Sequence, residues 1–263
     1  MNLQRSLALF LVMLLAPRAV PGQDNQPQTQ PDPATAAALS QVPPPSSSFV
    51  SVTKRLTFDI WTDQKAIWSS PFRMNRRQLL TIALPVAAVT AGLIATDEKT
   101  SAWLPNTPAQ LHWSNGISAL GSAYTLGGLV AGSLIVGEAK DKPTLARMGL
   151  NSADALVNAT IASYVMKFAA GRERPDWDNG EGRFWKGGES FPSGHAMATW
   201  AVAAAIAHSR GCPRWLAITS YAVASAVSIS RYTAHKHFLG DVFVGSVFGT
   251  MIGNYAANRV PQP

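Results

Sequence analysis

The chain has 263 residues, 47% of them apolar and only 14% charged, with a net charge of +7. So few charges, against about a quarter in an ordinary soluble domain, point to a chain buried in protein or lipid, although the mean hydropathy is only +0.06. No run of five basic residues and no nucleic-acid-reading motif occurs, so no nucleic-acid partner is expected, and the single cysteine, Cys212, excludes an internal disulfide or a cysteine-ligated metal cluster.

Residues 1–22, MNLQRSLALFLVMLLAPRAVPG, set Arg5 before an apolar run from Ser6 to Ala16, with small residues at Ala19 and Gly22. The run is short for a bilayer span, and the pattern is that of a cleavable signal peptide. Export to the periplasm or the cell exterior is therefore expected. Residues 23–57, rich in Gln, Pro, Ser and Thr, read as a disordered spacer, because such a composition buries too little apolar surface to offset chain entropy. A helical domain is expected over 58–263. It opens on Phe58, Trp61, Ile67, Trp68 and Phe72 mixed with charge, which fits either an interfacial helix on a membrane or an aromatic lid on the core.

Six apolar helices are predicted next, over 78–96, 117–136, 152–170, 194–208, 215–230 and 241–257, separated by Pro, Gly, Asn and Asp. No alternating strand pattern of useful length appears. The expected fold is all-α, a bundle of about six core helices with close contacts at Ala, Gly and Ser and the active site at one end.

Three polar stretches interrupt this pattern: KFAAGRERP (167–175), SFPSGHA (190–196) and SRYTAHKHFLGD (230–241). If consecutive helices run antiparallel, all three meet at one end of the bundle. Lys167, Arg172, Arg174 and Arg231 are cations suited to phosphate oxygens. Ser193 and Gly194 precede a helix, where Gly admits close approach of an anion to free N–H groups, although a Ser-Gly pair there also reads as a plain cap. Arg172 suits either substrate contact or an ion pair with Glu173 or Asp176. His237 and Asp241 stand i and i+4, so the carboxylate is expected to hydrogen-bond one imidazole nitrogen and free the other as nucleophile. His195 then serves as general acid. His235, two positions from His237, is expected to face away. The surrounding cations disfavour a metal at the His-x-His pair, so no metal is expected.

Together the stretches, K-x6-R-P, P-S-G-H and S-R-x5-H-x3-D, resemble the signature of the type 2 phosphatidic acid phosphatase family, whose superfamily includes the vanadium haloperoxidases. The resemblance implies an all-α core and metal-independent hydrolysis of a phosphomonoester through a phosphohistidine. It makes His237 the nucleophile, Asp241 its orienting partner and His195 the general acid, with Lys167, Arg174, Ser193, Gly194 and Arg231 binding phosphate and no cofactor. The alternative is a haloperoxidase holding vanadate in the same cradle. The expected partner is a phosphorylated small molecule or lipid; the aromatics Trp177, Phe184 and Trp185 favour an apolar one.

Membrane contact is read two ways. Basic residues collect opposite the site, at Arg73, Arg76, Arg77, Lys140, Lys142, Arg147, Arg210, Arg214 and Arg259, which would make that side cytoplasmic. A cleaved signal would instead place the start of the first helix outside. An exported, membrane-associated bundle that does not span reconciles the two.

Overall fold

The computed structural model describes residues 60–177 and 180–259. The chain divides into two units, Met1–Val50 and Ser51–Pro263. The signal and spacer expected over 1–57, and Phe58, lie outside the described residues. The described part of the second unit is all-α and carries no strand, as expected.

Helix α1 covers residues 60–69 and α2 is Arg76–Ala102. They are followed by α3 (Pro108–Ser118), α4 (Ala123–Ala139), α5 (Pro143–Ala170), α6 (Gly194–His208), α7 (Arg214–Thr233) and α8 (Leu239–Arg259). Local chemistry sets most of these boundaries. Asn75 and Gln78 close a capping box at the start of α2. Thr107 and Ser122 cap α3 and α4 through Gln110 N and Thr125 N. Gly171, at φ 51°, ends α5 in the left-handed region that favours glycine. Inside α2 the turn Leu79–Ala83 widens to a π-helix directly before Pro85, whose missing N–H cannot continue the i→i−4 ladder.

The helix expected over 152–170 starts earlier, at Pro143, the one expected over 78–96 runs on to Ala102, and two further elements differ in kind. The helix expected over 117–136 is bent: α3 stops at Ser118, a 3-10 turn follows over Ala119–Gly121, and α4 restarts on the Ser122 cap. Gly121 lies so close to α7 that an added Cβ would come within 2.6 Å of Val227 Cγ1. The segment at 60–72 is a lid held by polar rather than aromatic groups. Asp63 and Gln64 are its buried residues; Gln64 Nε2 donates to Asn158 Oδ1 (2.8 Å), and Asp63 pairs with Arg259. Ile67 packs on the core, whereas Trp61 and Phe72 are exposed.

Helix α6 lies at the centre, packed by α5, α7 and α8. Its Met197, Ala201 and Ala205 form the core with Ala155, Ala159 and Ala162 of α5 and Ile252 and Ala256 of α8. These small side chains bring the backbones close. Gly245, Gly249 and Gly253 form a stripe on α8 where an added Cβ would fall 2.6, 2.3 and 2.1 Å from the carbonyl oxygens of Ser193, Met197 and Ala201. Helix α2 is different: of its segment Leu84–Ala102 only Asp97 and Ser101 are buried, both near its C-terminal end. Arg76–Ala102 and Pro108–Ala139 are the two stretches among the described residues long and apolar enough to cross a membrane.

The stripe predicts opposite outcomes for two alanine substitutions. Gly253→Ala should destabilise by about 1–3 kcal/mol, because backbone carbonyls cannot move aside. Gly92→Ala, with nothing within 4 Å of its Cβ position, should be neutral or stabilising by up to about 1 kcal/mol. Thermal unfolding in detergent measures both.

Candidate active site

The antiparallel run of α5 to α8 brings the end of α5, the start of α6, the end of α7 and the start of α8 to one end. Ser193 N donates to the carbonyl of Asp241 (3.0 Å), and Lys167 Nζ donates to the carbonyl of Glu189 (2.7 Å). The position of a Cβ on Gly194 would lie 3.6 Å from Lys167 Cε. Lys167, Arg174 and Arg231 all act electrostatically on both His195 and His237. The predicted set, Lys167, Arg174, Ser193, Gly194, His195, Arg231, His237 and Asp241, is therefore gathered in one place.

His237 is buried. Its Nδ1 lies 2.7 Å from the carbonyl oxygen of Ser190 and 3.9 Å from Asp241 Oδ2. The direct carboxylate–imidazole hydrogen bond expected from the i, i+4 spacing is thus not formed. A carbonyl only accepts, so Nδ1 carries the proton and Nε2 keeps its lone pair. Burial, and then the nearby Arg231 and Lys167, hold His237 well below the usual histidine range, so the ring is neutral.

Asp241 reaches the imidazole through Ser190. Its Oδ2 accepts from Ser190 Oγ (2.5 Å) and from Phe238 N (2.9 Å), and its Oδ1 accepts from Arg172 Nη1 (2.6 Å). Burial raises the Asp241 carboxyl, and Arg172 and Ser190 oppose that rise. Arg172, 2% exposed, also donates from Nη1 to Asp97 Oδ2 (3.0 Å) and from Nε to the carbonyl of Gly182 (3.0 Å). Its guanidinium lies over the rings of Phe184 and Phe238, 4.8 and 4.3 Å from their centroids. Neither partner expected for Arg172 is the real one: Glu173 pairs with Arg183, and Asp176 with Lys236. Asp97 and Ser190 were missed by sequence reasoning. The predicted first helix ended at Thr96, one residue short of Asp97, and no motif marks a serine that acts through its carbonyl and its hydroxyl together.

The cationic groups make up the rest of the site. Arg174 Nε, Arg231 Nε and Ser193 Oγ are buried polar atoms with no hydrogen-bond partner among the described residues. Ser193 begins α6 yet makes no side-chain cap bond, so the plain capping role does not account for it. Burial first, then Arg231, Lys167 and Arg174, lowers His195 to about 4. Burial and Arg174 lower Lys167 to about 8. Such mutual repulsion is relieved by a bound anion, and a tetrahedral oxyanion suits three unsatisfied donors beside the free N–H groups of a helix start. His235 Nε2 turns instead to the carbonyl of Pro105 (3.1 Å), away from His237.

Residues 149–262 match the model of the PAP2 superfamily. The resemblance carried by the three motifs holds over that span. Over 103 residues the chain is 32% identical to a lipid A 1-phosphatase of Porphyromonas gingivalis, 38% of this chain and 21% of that protein. The chain thus spans about a fifth of the length of that curated relative. The crystal structure of Aquifex aeolicus LpxE is similar with a TM-score of 0.45 and 24% identity, covering 57% of this chain and 87% of that one. The transmembrane PAP2-type phosphatidylglycerolphosphate phosphatase of Bacillus subtilis is similar with a TM-score of 0.48 and 22% identity, covering 76% and 92%. The PAP2 span contains every predicted site residue: Lys167 near the end of α5, Arg174 and Ser193 between α5 and α6, Gly194 and His195 in α6, Arg231 in α7, His237 just before α8 and Asp241 within it. Asp97 lies before the span.

The electrostatics of the cradle predict a pH dependence. Lys167 is a cation below about 8 and is neutral above. Affinity for inorganic phosphate should therefore be full below that value and fall as pH rises through it, in a range where phosphate is already a dianion. In Lys167→Arg the fall should move to higher pH. Calorimetric titration of phosphate between neutral and alkaline pH measures both.

Proposed function

We propose that this protein is a metal-independent phosphatase that hydrolyses a phosphate ester of a lipid through a phosphohistidine. The observation that carries the reading is the pairing of a neutral, Nδ1-protonated His237 with three buried donors that lack partners, on Arg174, Arg231 and Ser193. The lipid character rests on the apolar surface. Helices α2 and α4 expose Leu79, Leu80, Ile82, Leu84, Tyr124, Leu129 and Ile135, which suits membrane association through the two apolar stretches. The Porphyromonas gingivalis relative, a lipid A 1-phosphatase, agrees with it.

In the first step the lone pair on His237 Nε2 attacks phosphorus. A P–N bond forms as the ester P–O bond breaks, and His195, protonated, gives its proton to the leaving oxygen. Burial and then the charges of Arg231, Lys167 and Arg174 lower His195, and a dianionic substrate offsets the charge contribution, so its pKa rises when substrate is bound. Lys167, Arg174, Arg231, Ser193 and the N–H groups at Gly194 hold the equatorial oxygens as charge develops. In the second step His195 takes a proton from water, the resulting hydroxide attacks phosphorus, and the P–N bond breaks to release inorganic phosphate. No step calls on a metal or a resident cofactor.

Phosphate release from micellar phosphatidic acid in the presence of chelator tests the reading. His237→Ala should abolish release. His195→Ala should slow it by about 10²–10⁴-fold, and less for p-nitrophenyl phosphate, whose leaving group needs little protonation. Halide-dependent peroxide consumption with vanadate, without ester hydrolysis by the wild type, would replace the reading with the haloperoxidase one.

A further inference from the structure

Helix α2 lies outside the span that matches the PAP2 superfamily, yet one of its side chains enters the site. Asp97 is 1% exposed. Its Oδ2 accepts from Arg172 Nη1 at 3.0 Å and its Oδ1 accepts from the Gly240 amide at 3.0 Å. The same Arg172 nitrogen reaches Asp241 Oδ1 at 2.6 Å. One donor group is therefore shared by two carboxylates, and Asp97 decides where along that line the guanidinium sits. Asp241 takes its place from Arg172, the Ser190 hydroxyl takes its place from Asp241, and the Ser190 carbonyl holds His237 Nδ1. Gly240 leaves room for this: a Cβ there would fall 2.7 Å from Asp97 Oδ2.

We propose that Asp97 is a positioning residue for His237, acting through Arg172, Asp241 and Ser190. It touches no reacting atom. The inference rests on the proposed nucleophilic role of His237 for its kinetic consequence, but the placement of the ring is independent of that role. Because α2 buries little else in its C-terminal segment than Asp97 and Ser101, the site is assembled only when the end of this apolar helix is docked.

Two variants separate positioning from mere stability. Asp97→Asn keeps the shape and removes the charge that balances Arg172. Gly240→Ala keeps every charge, places a better helix former in the first turn of α8, and pushes the Asp97 carboxylate aside. Both are compared with wild type on the folded full chain in detergent, with p-nitrophenyl phosphate as substrate. Both should lower kcat about 10- to 100-fold with KM little changed, as loss of a supporting contact does while the cations still bind phosphate. The ¹⁵N resonances of His237 give the reading that does not need turnover. Wild type should show the Nδ1-protonated tautomer, and both variants a mixture of tautomers. If folded Gly240→Ala keeps the wild-type kcat and the wild-type tautomer, the proposal is overturned, whatever Asp97→Asn does to folding. If wild type hydrolyses nothing, the phosphatase reading fails, and the tautomer comparison alone decides the placement.

Discussion

The site end of the bundle is organised around the buried guanidinium of Arg172. Taking such a cation out of water costs several kcal/mol even after relaxation, so it is tolerated only with complete and well-placed partners. Here Nη1 serves Asp97 and Asp241, Nε serves the Gly182 carbonyl, and the rings of Phe184 and Phe238 pack against the guanidinium. Those partners come from α2, from the loop after α5 and from the start of α8. The loop closes over the group through Gly182, where a Cβ would fall 2.4 Å from the Phe238 ring. Losing one partner of such a buried pair leaves a charge uncompensated, at about 3–5 kcal/mol. Replacement by apolar packing would serve stability as well, which fits a group kept for where it holds Asp241.

At the cationic groups of the site the balance is reversed. Lys167, Arg174 and Arg231 repel one another and add to burial in depressing both histidines, and the Nε donors of Arg174 and Arg231 are left without hydrogen-bond partners. One part of the site is a satisfied network that fixes geometry, and the other holds unsatisfied donors, on Arg174, Arg231 and Ser193, that suit a tetrahedral anion. Away from the site the burial pattern inverts. Helix α2 exposes its apolar length and buries the polar Asp97 and Ser101 near its end, the arrangement expected of a helix whose outer solvent is lipid.

The convergence of the three motifs was legible because each is local in sequence. Each motif occupies a helix end, and antiparallel packing of consecutive helices needs no further information to bring the ends together. The bounds of α6 coincide with the predicted ones because Pro192, Ser193 and Gly194 begin it and the Ser-Arg-Gly-Cys-Pro run ends it. What was missed depends on distance in the chain. Asp97 lies 75 residues before its partner Arg172, and the polar triplet Asp97, Glu98 and Lys99 reads as the end of an apolar helix rather than its continuation. The bend at Gly121 was hidden because α3 and α4 are apolar on both sides of it. Ser190 escaped because its carbonyl, a group every residue has, holds His237. The polar lid of α1 was hidden behind its more conspicuous aromatics.

The glycine stripe on α8 has a consequence for how this helix can change over evolutionary time. Gly245 follows Asp241 by four residues, so the carboxylate and the stripe lie on one face of one helix. A single inserted residue between them would turn the stripe by about 100°, presenting valine and phenylalanine side chains to a partner backbone that has room for a hydrogen atom. The phase of α8 is thereby locked, and this stretch can vary by substitution but not by length.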